Sequence, residues 1–157
     1  MKTLVGAVVI IACFAAPPAG AAGSSEPPSS PARASDPVYD KAVAATQSQD
    51  WTGAQKLLQQ ALESNPNNAN YHNLYAYAIR KGPNPNLDLA FKHYNEALRI
   101  DPNHRAAHEY LGEAYLMVNN LAKAEEHLAA LNRLCFFPCE EYTELKEKVA
   151  AFKAAAK

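Results

Sequence analysis

Two cysteines, Cys135 and Cys139, stand four residues apart in "LCFFPCEEY". Sulfur at that spacing could exchange electrons as a dithiol, supply half of a tetrahedral metal site, or close a disulfide that staples two stretches of backbone. Five histidines, His72, His93, His104, His108 and His127, add candidate ligands, with His104 and His108 at an i, i+4 spacing. The surrounding residues remove most of this chemistry. A thiol oxidoreductase carries CxxC at a helix start inside an alternating strand and helix pattern, and covalent haem attachment needs a histidine where Glu140 stands. Zinc needs two further ligands at suitable spacing, and "HEYLG" lacks the second histidine of a zinc protease helix. There is no Gly-rich phosphate loop and no nucleophile elbow. The sequence therefore predicts no enzyme, no metal and no cofactor, and leaves a staple or a thiol-active pair. The compartment and the preceding elements decide between those two.

The chain opens "MKTLVGAVVIIACFAAPPAGAAG", with one early lysine, an apolar run from Leu4 to Ala16, and small residues after it. This is the pattern of a secretory signal over residues 1–21, with cleavage near Ala21 that removes Lys2 and Cys13. The run falls short of the ~20 apolar residues that span a bilayer as a helix. A competing reading takes "IIAC", Ile10 to Cys13, as a lipobox that anchors the chain through a lipid on Cys13; the very early cysteine and the following Phe14 favour cleavage downstream. An exported chain meets an oxidising compartment, where neighbouring cysteines close disulfides. In a helix the Cα atoms of Cys135 and Cys139 would lie about 6 Å apart, within reach of a bridge. The sequence has no N-x-S/T sequon, which points to a bacterial envelope and so to the periplasm.

Lysine plus arginine number 15 and aspartate plus glutamate 16, so without Lys2 the balance is 14 against 16. No basic stripe interleaved with aromatics occurs, which argues against nucleic acid as a partner. Residues 22–36, including "SSEPPSSPARASD", are rich in Ser, Pro and Ala with little to bury, and read as a disordered linker. The rest has the length of one modest domain.

That domain repeats. In "DWTGAQKLLQQALESNPNN", "NLDLAFKHYNEALRIDPNH" and "NLAKAEEHLAALNRL", Trp51, Leu87 and Leu121 lead. Ala54, Ala90 and Ala124 follow, then Leu58, Tyr94 and Leu128, then Ala61, Ala97 and Leu131. Apolar residues at steps of three and four mean amphipathic helices, and recurrence after 36 and then 34 residues means stacked helical hairpins. Alanine at 54, 90 and 124, with Ala76 and Gly112 opposite, lets paired helices approach closely. Pro66 and Pro102 end helices.

These residues resemble the tetratricopeptide repeat. The match is fullest in "HEYLGEAYLMVNNLAKAEEHL", through Leu111, Gly112, Tyr115, Ala124 and Leu128, and extends over residues 37–134 as units 37–68, 69–104 and 105–134. Lys41 stands where a large apolar residue is usual, and "KGPNPNLD" carries a two-residue insertion. The resemblance implies an all-α, right-handed superhelix of about three antiparallel hairpins. His108 falls where the family packs an aromatic, so it reads as core.

Residues 135–157 form the CxxxC junction and a capping helix. Pro138 stands at a helix-starting position, and Glu140 and Glu141 suit the first turn. Tyr142, Leu145, Val149 and Phe152 make an apolar stripe, with Glu144 and Lys148 paired on the other side. A Cys135–Cys139 bridge would tie the third hairpin to this cap.

The family implies a binding module: an exported scaffold or adaptor that holds a peptide or protein partner on its concave side, with a small thiol-active protein as the alternative. The groove positions are Tyr39 and Val43 in unit one, Asn70, Asn73, Tyr77 and Arg80 in unit two, and Glu109 and Glu113 in unit three, expected to face outward. Tyrosine can anchor a peptide and asparagine can bond its backbone. The family's clamp for chaperone C-terminal carboxylates needs cations where this chain has Tyr39, Ala106 and Tyr110, so that ligand is excluded.

Overall fold

The computed structural model describes residues 36–156. The expected signal sequence lies outside the described residues, as does the linker up to residue 35. Asp36, the last residue of that linker, belongs to the fold: it caps α1 through hydrogen bonds from the amides of Val38 and Tyr39 to its Oδ1, and Pro37 begins the helix.

Seven helices follow: α1 Pro37–Gln47, α2 Trp51–Ser64, α3 Ala69–Lys81, α4 Leu87–Ile100, α5 Arg105–Met117, α6 Leu121–Leu134 and α7 Glu140–Ala155. No strand occurs among the described residues. The starts of the second helices repeat with the sequence. Asp50, Asn86 and Asn120 each accept a hydrogen bond from the amide three residues on, and each such cap contributes about 1 kcal/mol. Gln49 and Asn119, the residues before two of these caps, turn the chain at φ 60° and 57°. In the second hairpin the longer "GPNP" loop, which contains the two-residue insertion, makes that turn instead.

The hairpins α1/α2, α3/α4 and α5/α6 stack in chain order, and α7 lies against α5 and α6. The small residues sit where helices meet: Ala42, Ala54, Ala76, Ala90, Ala107, Ala114 and Ala124 are wholly buried. Leu58, Tyr94, Leu111, Leu131 and Leu145 are the largest side chains enclosed with them. Gly112 departs from its expected part. The atoms nearest a β-carbon placed there are Cδ2 and Cδ1 of Leu145, at 2.6 and 2.9 Å, so its missing side chain admits α7.

The junction also differs from expectation in detail. Cys135 is the C-cap of α6 and Cys139 the N-cap of α7, so Pro138 stands outside the helix it was expected to begin. The two cysteines are bonded, with Cα atoms 5.8 Å apart. Phe136 and Phe137 on this loop are 94% and 74% exposed, so the loop adds nothing to the core. Leu145 and Val149 of α7 are buried, with Tyr142 packed beside them. Glu144 and Lys148 do pair, but Lys148 also reaches Glu113 and Glu109 of α5, so this half-exposed pair sits at the edge of the array and is tied to it.

Gly112→Ala is expected to destabilise the docking of α7 by roughly 1–3 kcal/mol, because Leu145 is fully enclosed and must shift. Hydrogen exchange is the measurement: amides of α7 should exchange faster while those of α1 to α4 stay protected. Cys135→Ser with Cys139→Ser should give the same local pattern at ~2 kcal/mol, the chain-entropy value for so short a loop. Loss of protection throughout the array would contradict both.

Candidate functional site

The first helices of the hairpins, α1, α3 and α5, share one side of the stack. A groove of ≈310 Å³ opens there, lined by Tyr39, Val43, Thr46 and Gln47 of α1, Asn73, Leu74 and Tyr77 of α3, and Ala106 and Tyr110 of α5. The helical repeat dictates this lining, since 39, 43, 46 and 47 fall on one face, as do 73 and 77, and 106 and 110. Its walls are aromatic. Tyr77 lies 4.6 Å from the Tyr110 ring and 6.0 Å, edge-on, from Trp51, while Tyr39 stacks on Tyr71 at 6.5 Å.

Four of the eight expected groove residues, Tyr39, Val43, Asn73 and Tyr77, line this cavity. Asn73 is not the outward-facing residue expected: it is 2% exposed, and its Oδ1 has no hydrogen-bond partner. Tyr77 is half-buried among Trp51, Tyr110 and Arg80, so truncating it would open a cavity. Asn70 stands at the start of α3, with its Oδ1 3.1 Å from Nε2 of His104.

Arg80, Glu109 and Glu113 are drawn inward, because α7 covers the end of the array and converts their outward face into interior. Arg80 is 6% exposed and Glu109 4%. Arg80 donates from Nε to the Tyr94 hydroxyl at 3.2 Å, and its Nη2 lies 2.8 Å from Oε2 of Glu113. Its guanidinium also sits over the rings of Tyr77 and Tyr110, at 5.6 and 5.8 Å. Burial opposes the Arg80 charge, but Tyr94 and Glu113 outweigh it and hold the group more firmly protonated than usual. Glu113 in turn contacts Lys148 of α7, which reaches Glu144 at 3.2 Å and Glu109 at 3.9 Å. This ion network links α3, α5 and α7. Arg80, Glu113 and Lys148 also line a second cleft of ≈490 Å³, whose remaining lining is Leu116, Met117, Ala151, Phe152 and Ala155.

Glu109 keeps its proton. Burial, then the Glu113 charge and the hydrogen bond with Glu144, push its carboxyl up to about 8, against the pull of Lys148. The Glu144 carboxyl is held low by Lys148 and by that same hydrogen bond. Glu109, Glu113 and Glu144 offer oxygens within 4.8 Å of one another, yet Arg80 and Lys148 already balance the charges of Glu113 and Glu144, as expected of a structural ion network.

Two matches to tetratricopeptide-repeat models cover residues 39–105 and 86–134. The chain belongs to the tetratricopeptide-repeat family. No curated protein matches the sequence. Among solved structures, the repeat array is similar to the type III secretion translocator chaperone SycD of Yersinia enterocolitica. That match has a TM-score of 0.66 at 20% identity and covers 76% of this chain and 83% of that one. The first repeat domain of human RPAP3 aligns with a TM-score of 0.65 at 17% identity, covering 75% and 91%. PcrH, in complex with the chaperone-binding region of PopD, aligns at 0.65 and 18% identity, covering 77% and 92%. At these identities the likeness establishes the fold. Within the tetratricopeptide groove, Tyr39, Ala106 and Tyr110 stand together, so the three expected clamp positions present two aromatic rings and a methyl group in place of cations.

The sequence did not single out Thr46, Gln47 and Leu74 as groove residues. The available signal was spacing: Thr46 and Gln47 continue the Tyr39 and Val43 face by one more turn.

Glu109 sets a pH dependence of definite sign. A carboxyl raised in the fold from its ordinary value near 4.5 to about 8 contributes stability that is present at low pH and lost as pH climbs toward 8. Glu109→Gln keeps a neutral, hydrogen-bonding side chain, so its stability relative to the natural protein should grow between pH 5 and 8. Thermal unfolding of both across that range checks this, and a constant difference would contradict it.

Proposed function

We propose that this protein is an exported scaffold that holds an extended segment of a protein partner in the groove between α1, α3 and α5. The orphaned Oδ1 of Asn73 carries the reading: a buried carbonyl oxygen without a partner costs roughly 1–3 kcal/mol, and a peptide N–H in the groove would satisfy it. The tyrosines beside it supply rigid apolar area at low entropic cost. Solved tetratricopeptide structures support the mode: SycD is seen with a peptide of the translocator YopD, RPAP3 with an HSP90 peptide, and PcrH with a region of PopD. The groove lining, Thr46, Gln47 and Asn73 among tyrosines, carries no formal charge and so suits an uncharged stretch of the segment.

Export rests on the N-terminal sequence pattern, and the missing N-x-S/T sequon favours the periplasm as the compartment; N-terminal sequencing that finds a start near Ala22 supports export by cleavage, whereas an acylated Cys13 gives the lipid-anchored form. No helix among the described residues is long and apolar enough to cross a membrane. In this role the Cys135–Cys139 bond is a staple. A thiol-active protein would instead lose an exchange activity in Cys135→Ser, Cys139→Ser and keep its stability.

Asn73→Leu separates function from folding. Leucine has a similar volume and removes the unpaired oxygen, so the variant should be more stable, by about 1 kcal/mol, while partner affinity falls at least about tenfold. Trp51 is the chain's one tryptophan and lies at the groove's edge against Tyr77, so its fluorescence reports occupancy by partner proteins isolated on the natural chain. A variant that binds as well as the natural protein would place the partner elsewhere.

A further inference from the structure

Two successive hairpins contain the same pair of touching histidines. His72 of α3 places Nδ1 2.8 Å from Nδ1 of His93 on α4, and Nε2 2.9 Å from the carbonyl oxygen of Pro66 in the preceding turn. His108 of α5 repeats this, with Nδ1 2.9 Å from Nδ1 of His127 on α6 and Nε2 3.0 Å from the carbonyl oxygen of Pro102. The first members are 36 residues apart and the second 34, the spacing of the repeat itself. Each pair thus joins both helices of one hairpin to the turn that connects it to the hairpin before.

These distances fix the protons. A carbonyl oxygen only accepts, so Nε2 of His72 and of His108 must donate, which leaves Nδ1 of each neutral ring as a lone pair. Nδ1–H of His93 and of His127 must then donate into it. The two rings of a pair are neutral and of opposite tautomer. A proton added to His72 or His108 would go to Nδ1 and confront the N–H of its partner, breaking the pair. A proton added to His93 or His127 would go to Nε2 and place a cation in a half-buried cluster.

We propose that the two histidine pairs are acid-sensitive latches on the joints between hairpins, closed when the rings are neutral and released when they are protonated. The surroundings of His93, His108 and His127 oppose protonation of those rings. Around the first pair, burial, His72 and Lys92 act against charge on His93, Glu96 acts for it, and Tyr75 packs edge-on at 4.7 Å. Around the second, burial, His108 and Lys123 oppose charge on His127 and Glu126 favours it, with the Tyr115 ring stacked at 5.6 Å. On His108 itself burial and Arg133 oppose charge, while the Pro102 carbonyl and Asp101 favour it. The outcome is a lowered His108 and values of about 4 for His93 and His127.

A histidine depressed in the fold contributes stability that is complete above the unfolded value near 6.5 and is lost as pH falls toward the folded value. The window is therefore about pH 6.5 to 4. Glu109 acts in the opposite direction over an overlapping range, so the total slope does not isolate the latches. A comparison with a latch variant does, because Glu109 cancels. The joints matter because α3 and α5 carry latch histidines on one side and groove residues on another: His72 beside Asn73 and Leu74, and His108 between Ala106 and Tyr110.

The test uses the protein labelled with 15N in its histidines, together with the double variant His93→Asn, His127→Asn. The asparagine amide nitrogen replaces the Nδ1–H donor and does not titrate. The proposal expects Nε2–H tautomers for His72 and His108 and Nδ1–H tautomers for His93 and His127 at pH 7.5. Between pH 7.5 and 5 the natural protein should lose roughly 5 °C of Tm relative to the variant, and its amide protection factors at residues 67–72 and 103–108, which allow for the slower intrinsic exchange in acid, should fall several-fold relative to the variant's. Parallel loss of Tm in the two proteins would overturn it. If the variant does not fold, the natural protein decides alone: paired rings of the wrong tautomer, or all titrating near the unperturbed value, sink the latches, and the expected tautomers with retained neutrality near pH 5 support them.

Discussion

The array is organised by the burial of α3. Eight of its thirteen residues are buried, against two of sixteen in the terminal α7. A hairpin in this architecture covers its apolar face only with its neighbours, so the central first helix is enclosed by α1 and α2 before it, α4 within its hairpin and α5 after it. Three polar side chains are enclosed with it: His72, Asn73 and Arg80. Polar groups taken from water must be satisfied or they weaken the fold. His72 finds His93 and a turn carbonyl, and Arg80 finds Tyr94 and Glu113. Asn73 leaves its oxygen unpaired. The structural joints and the candidate binding point are thus different solutions to one constraint on one helix.

Arg80 connects the groove to the cap. Its guanidinium lies against the rings of Tyr77 and Tyr110, which wall the groove, and its ion pair with Glu113 leads on to Lys148 of α7. Removing one member of such a buried network leaves an uncompensated charge, at a cost of several kcal/mol. The capping helix therefore does more than cover an apolar stripe: it supplies the cation that pairs with Glu113, while burial keeps Glu109 protonated against the pull of that same cation. Gly112 makes this docking possible by leaving room for Leu145.

Much of this was legible in the sequence. The alanines at 54, 90 and 124 fixed the hairpin spacing, because close approach of paired helices depends on residue type at a fixed offset; the caps Asp50, Asn86 and Asn120 stood at the same offset and were not singled out. The groove was half legible. Tyr39, Val43, Asn73 and Tyr77 follow from helical phase, but phase cannot tell whether a face is covered. Arg80, Glu109 and Glu113 share that phase and are interior, because α7 folds over them.

The amino-acid sequence by itself determined the all-α repeat, the units and their turns, since these rest on local preference and on a period repeated along the chain. Tertiary structure decided which of the polar residues meet. The four histidines of the two pairs lie 21 and 19 residues from their partners, and the hydrogen bonds between them exist only because each hairpin closes. The same holds for the neutral carboxyl of Glu109 and the unpaired oxygen of Asn73. Protonation and hydrogen-bond satisfaction depend on desolvation and on neighbours distant in sequence, and neither quantity is a property of a residue and its spacing alone.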